Sequence, residues 1–132
     1  MADVSGDRRD NITVYDYVGG TPFFERLVAH FYDGVERDPI LRPLYPDDLT
    51  EPKASLVAFL AQYWGGPADY SATRGHPRLR MRHAPFVIDA AARDAWFRHM
   101  ASAVAASGAD DIVTPVFLDY FSNAATAMIN AR

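Results

Sequence analysis

The chain contains no cysteine. That absence removes disulfides, thiolate-bound zinc, iron–sulfur clusters and cysteine nucleophiles together, so any metal must be held by histidine or carboxylate. Long hydrophobic runs are missing as well. No segment approaches the ~20 apolar residues of a membrane span, and the opening MADVSGDRRDNITV lacks the apolar core of a signal peptide. The expectation is a cytoplasmic protein that does not enter a membrane. Runs of alternating apolar and polar residues, the mark of a half-buried strand, do not occur. Nor is there a basic excess: the formal net charge is -4, which argues against a general nucleic-acid binder, whose affinity comes from neutralising phosphates.

What is present is 132 residues, 49% hydrophobic and 23% charged, enough for one domain with a real core. Residues 1–13 are polar and aperiodic and read as a loose N-terminal extension, leaving 14–132 as the domain. Thr21-Pro22 reads as an N-cap followed by proline at the first helical position. Phe24, Leu27, Val28, Phe31, Tyr32 and Val35 then recur at helical spacing, with Arg26, His30, Asp33 and Arg37 on the opposite face. Asp38-Pro39 ends that helix, and ILRPLYPDDLTEP is too rich in proline for more than a single turn. A second helix is expected after Pro52, stopped by Gly65-Gly66-Pro67. A third starts from an Asp89 cap, with Trp96, Met100, Ala103 and Val104 inward. A fourth carries Phe117, Tyr120, Phe121, Ala124 and Met128. The fold class is all-α, in two helix pairs.

Between the pairs lies a segment of different character. From Tyr70 to Ile88 there is no acidic residue, although the protein has 17, while Arg74, Arg78, Arg80 and Arg82 accumulate. Such a patch is a seat for a small dianion such as paired carboxylates. Leu79 and His83, four apart, share the inner helical face there. A core histidine and a metal ligand both suit that position. The second gains from Pro85, which ends the helix and frees carbonyls to accept the ring Nδ1–H, leaving Nε2 for a metal. Tyr32, Tyr45 and Trp96 are polar-tipped aromatics spread across the expected core. Each alone reads as core, but together they supply three neutral donors suited to a bound diatomic with partial negative charge. One imidazole, an anion seat and apolar walls compose a haem pocket.

The stretches YDYVGGTPFFERLVAHFY, LYPDDL, FLAQYWGGP, RGHPRLRMRHAPF and RDAWFRHM resemble, in this order, the group II truncated haemoglobins of bacteria, from about Tyr15 to Met100 and more weakly beyond. The resemblance implies a truncated globin-like two-over-two helical sandwich binding haem b (iron protoporphyrin IX), with His83 as the ligand to iron and Arg82 as a propionate partner. Trp96, Tyr32 and Tyr45 would be distal donors to a bound gas. Leu56 and Phe59 would wall the ligand, Met100 and Phe86 would pack near the porphyrin, and Tyr70, His76 and Leu79 would complete the cofactor's surroundings. Two departures stand out. Glu51-Pro52 falls about where relatives place a distal gate, and Ser55 where they place a basic propionate partner. No histidine occurs between His30 and His76, so a distal histidine is excluded.

The implied function is binding of O2, CO and NO at the histidine-ligated iron, for O2, NO or peroxide redox chemistry rather than bulk transport. NO dioxygenase or peroxidase-like turnover would need a separate electron donor or reductase, and the family pattern allows a homo-oligomer. A second reading is a nucleic-acid or acidic-partner module built on the Arg74–Arg82 segment, which requires exposed arginines and steep salt dependence. A third, a non-haem metal hydrolase, needs two more ligands beside His83.

Overall fold

In a computed structural model of the chain the described residues are 12–70 and 88–129. They form a short helix α1 (Val14–Tyr17), then α2 (Thr21–Arg37), a 3-10 turn over Arg42–Leu44, α3 (Thr50–Tyr63), α4 (Ala90–Ala106) and α5 (Thr114–Ala127). No strand occurs among the described residues. The expected segment of one or two turns within 68–85 lies almost wholly outside them.

Helix α2 is the organising element. Phe23, Phe24, Leu27, Val28, Phe31, Tyr32 and Val35 are all buried along it, against α3 on one side and α4 on the other. The apolar stripe at i, i+3, i+4 and i+7 dictates this, because only burial between two neighbours removes so wide a face from water. Helix α4 in turn packs on α5, so α2 with α3 and α4 with α5 make two stacked pairs. Phe23, Phe24, Phe117 and Phe121 fill the junction with ring contacts at 5.3 to 6.3 Å.

The start of α2 differs by one residue from the sequence expectation. Gly20, at φ +84°, is the cap, and Thr21 is the first helical residue. The Thr21 hydroxyl is bonded to Tyr15 Oη at 2.7 Å and so holds α1 against α2. Helix α3 likewise begins before Pro52, at Thr50. Proline is tolerated in a first turn because the N–H it lacks has no partner inside the helix. The Asp89 cap is as expected: its carboxylate accepts Ala92 N–H at 2.9 Å.

The glycine pair after α3 admits α1. A Cβ on Gly66 would lie 2.5 Å from the Tyr15 ring, and one on Gly65, whose φ is +106°, would lie 2.6 Å from Thr13. Tyr15 N–H then reaches Trp64 C=O at 2.9 Å. Across the other pair, Arg93 of α4 donates to Ser122 Oγ at 2.7 Å and Thr126 Oγ1 at 3.1 Å on α5. The two pairs are thereby fixed around the space they enclose.

Candidate functional site

That space is a cavity of about 220 Å³ bounded by residues from α2, the proline corner, and helices α3, α4 and α5. Helix α2 contributes Phe31 and Tyr32. The corner contributes Tyr45, and α3 contributes Pro52, Ser55, Leu56, Phe59 and Leu60. Trp96 reaches in from α4, and Tyr120, Phe121, Ala124 and Met128 from α5. Tyr70, the last described residue before segment 71–87, also lines it. The wall is aromatic and aliphatic, and no carboxylate, lysine or arginine is among these lining residues.

Its polar tips converge at one end. Tyr32 and Tyr45 meet edge-on with ring centroids 5.5 Å apart. Trp96 packs edge-on against Phe31 at 5.6 Å and Phe121 at 6.0 Å. The Trp96 indole N–H lies close enough to the Tyr45 hydroxyl to act on the phenol's ionisation. Indole can only donate, so the Tyr45 O–H is left to donate elsewhere. Burial pushes the Tyr45 phenol up to about 12, with the Trp96 N–H opposing the rise. Burial also raises Tyr32 far above the ordinary phenol range, with a smaller contribution from Tyr45. Both hydroxyls therefore stay protonated and remain donors.

Of the side chains assigned from sequence, Tyr32, Tyr45, Trp96, Leu56, Phe59 and Tyr70 are brought together around this one cavity. Met100 is not. It is fully buried in the helix core and absent from the cavity wall, because the α4 residue that faces the cavity is Trp96, a full turn earlier. His76, Leu79, Arg82, His83 and Phe86 lie outside the described residues. Pro52 lines the cavity, while Glu51 is exposed in the first turn of α3. Ser55 is also in the wall. Sequence reasoning missed Phe31, Leu60, Tyr120, Phe121, Ala124 and Met128 as site residues. Their helical spacing was visible, but it marks burial without saying whether the buried face meets a helix or a cavity.

A second void of about 30 Å³ shares Tyr45, Trp96 and Met128 with the first and is otherwise lined by Leu41, Leu44, Ile88, Ala92, Arg93 and Ala125. The Tyr45–Trp96 pair thus stands as a partition. Among the described residues no group of three or more His, Asp or Glu side chains could hold a metal ion. No helix among them is long and apolar enough to cross a membrane.

The lining fits a haem. A wide apolar group can lie between aromatic and aliphatic walls, and the polar side chains among the lining residues are neutral, able to meet a gas molecule rather than compete for iron as acids would.

Comparison with known proteins agrees. The family of bacterial-like globins matches residues 13–130. The Group 2 truncated hemoglobin YjbI of Bacillus subtilis is 37% identical over 111 residues, 84% of each chain. The crystal structure of hemoglobin from Chloroflexus aurantiacus, a thermophilic phototrophic bacterium, superposes with a TM-score of 0.89 at 49% identity, covering 91% of this chain and 99% of that one. A truncated oxygen-avid haemoglobin from Bacillus subtilis superposes at 0.85 and 35% identity, covering 90% and 100%. The cavity, the helix pairs and these matches together place the chain in the bacterial-like globin family, as a group II truncated haemoglobin that carries haem b and binds diatomic gases.

Proposed function

We propose that this globin holds O2 tightly and uses it, or peroxide, in redox chemistry, with His83 as the ligand to iron and Arg82 as a propionate partner. Haem, when bound, would supply an iron able to take up O2, CO or NO. The rest is done by the chain. The observation that carries the reading is the cluster of Trp96, Tyr45 and Tyr32 in one cavity wall: an indole N–H and two protonated phenols, their rings 5.5 Å apart, with no charged side chain among the lining residues. A hydrogen bond to a partner with developing negative charge contributes about 1.5 to 3 kcal/mol, or about one to two decades in dissociation rate. The oxygen-avid relative supports the same direction.

Slow release suits chemistry on the ligand better than transport. Conversion of NO and O2 to nitrate consumes one further electron, and reduction of H2O2 to two waters consumes two electrons and two protons. A separate reductase or small reductant in the cytoplasm supplies them. The alternative, nucleic-acid or acidic-partner binding through Arg74–Arg82, falls on a segment outside the described residues.

The test is a set of single substitutions in the haem-loaded protein. Trp96→Phe, Tyr45→Phe and Tyr32→Phe are expected to speed O2 release, Trp96→Phe and Tyr45→Phe by about ten- to a hundredfold. His83→Ala is expected to lose the histidine–haem absorption spectrum. Off-rates within error of wild type in all three distal variants would refute the donor assignment. An unaltered spectrum in His83→Ala would refute the ligand assignment.

A further inference from the structure

On the far side of α2 and α4 from the cavity is an open cleft of about 660 Å³, and at its edge sits a buried acid. Asp38, 7% exposed, is the residue that terminates α2. Its Oδ2 lies 2.7 Å from His99 Nε2 on α4 and 3.3 Å from the largely exposed Arg98 guanidinium. Its Oδ1 accepts Ile40 N–H at 2.8 Å.

The path of His99 to Asp38 is built in. Gly34, in the middle of α2, leaves the room its imidazole occupies: a Cβ there would stand 2.3 Å from Nδ1 and 2.9 Å from Cγ. Glycine inside a helix costs about 1 kcal/mol against alanine, so its presence beneath this ring needs a reason, and the ring is one.

The chain beyond Asp38 is tied back on itself by hydrogen bonds. Arg42 N–H bonds back to Asp38 C=O at 2.8 Å, and Leu44 N–H to Leu41 C=O at 2.9 Å. The Arg42 guanidinium then donates to the carbonyls of Tyr45, Pro46 and Asp47 at 3.4, 3.0 and 3.0 Å. The corner from Asp38 to Tyr45 is therefore a braced strut. Helix α4 meets both of its ends with two residues three apart, hence on neighbouring positions of one face: His99 bonds Asp38, and Trp96 stands with Tyr45 in the walls of both cavities.

We infer that His99 is a positioning residue for the distal donors: the His99–Asp38 contact, passed along the Arg42-braced corner, sets the geometry in which Trp96 meets Tyr45. Asp38 and Arg42 share that role, and Gly34 permits it. The inference rests on Tyr45 and Trp96 being the distal donors. Its structural content, a coupling between His99 and the Trp96 indole, stands apart from any ligand.

The experiment uses the CO-saturated ferrous protein labelled with 15N. It has two indole cross-peaks, from Trp64 and Trp96, and Trp96→Phe assigns them. His99→Leu is expected to shift the Trp96 indole peak and to speed O2 release about tenfold. His99→Gln, which keeps an N–H to offer Asp38, is expected to restore both, the off-rate to within about twofold. If His99→Leu does not fold, Asp38→Asn serves, because its Oδ1 still accepts Ile40 N–H while the charge that holds His99 is gone. The expected shift has the same sense. A Trp96 peak and an off-rate unchanged in a folded variant, whatever its melting temperature, would reduce the pair to a brace and overturn the inference. An unchanged off-rate in Trp96→Phe would instead overturn the donor assignment, and the indole peak would still decide the role of His99.

Discussion

A phenol donates a hydrogen bond only while it keeps its proton. In water Tyr32 and Tyr45 would lose theirs near pH 10, but burial raises both, Tyr45 to about 12 and Tyr32 further. Deprotonation would remove a donor and accelerate release, so the raised values postpone that loss beyond the ordinary range. The O2 off-rate is therefore expected to stay flat to about pH 10 in stopped-flow measurements. A rise between about pH 8 and 10 would mean the phenols are solvated. At Asp38 the sign is opposite. Burial disfavours its charge, but the His99 bond, the amides of Ile40 and Leu41 and the His99 charge outweigh burial and hold the carboxyl below its ordinary value. A depressed carboxyl stabilises the fold above its unfolded pKa, and that contribution is lost as pH falls through the folded one. Asp38→Asn is expected to lower the melting temperature at neutral pH and to narrow its gap from wild type as acid is added. An equal gap at pH 7 and pH 3 would show that the charge contributes nothing. The Asp38–His99 pair was not legible in the sequence, where Asp38-Pro39 reads only as a helix stop.

At the scale of elements much more was legible, and the reason is periodicity. The stripe from Phe24 to Val35 and the cap at Asp89 fix α2 and α4, because an apolar face and a capping carboxylate each have one economical structural solution. Where the sequence misled by a residue or two, at Thr21 and Pro52, a helix start was set by contacts distant in sequence or by the tolerance of a first turn for proline. Gly34 was the least legible. Within α2 it sits between strong helix signals, and only the His99 ring explains it. Gly34→Ala should cost about 1 to 3 kcal/mol, because the methyl group forces the imidazole off its seat. In a His99→Ala background the same change should become favourable by up to about 1 kcal/mol, since only helix propensity remains. Urea denaturation of the four proteins checks the reversal. The same sign in both backgrounds would rule out the ring as the reason for the glycine.

The whole molecule divides its apolar interior into two parts that depend differently on cofactor. Phe24, Leu27, Phe117 and Val104 pack against other side chains and need nothing added, whereas Leu56, Phe59 and Tyr120 line the cavity. The first set was visible in sequence as a core, and the donors Tyr32, Tyr45 and Trp96 were visible as a group that a plain core does not require. That the two sets part company was not visible, since burial against protein and burial against a cofactor leave the same pattern. Met100, read as a neighbour of the porphyrin, is buried in the helix core and is not among the cavity's lining residues. The helical core should therefore keep its far-ultraviolet circular dichroism without haem, while haem adds stability by mass action, about 2.7 kcal/mol at a free concentration one hundred times Kd. If His83 ligates the iron, His83→Ala should match wild type in melting temperature as apoprotein and lose much of the rise on adding haem. If His83 is instead a packed core histidine, the apoprotein variant melts lower and the haem-induced rise is preserved. The two melting curves, with and without haem, separate these roles without reference to any gas.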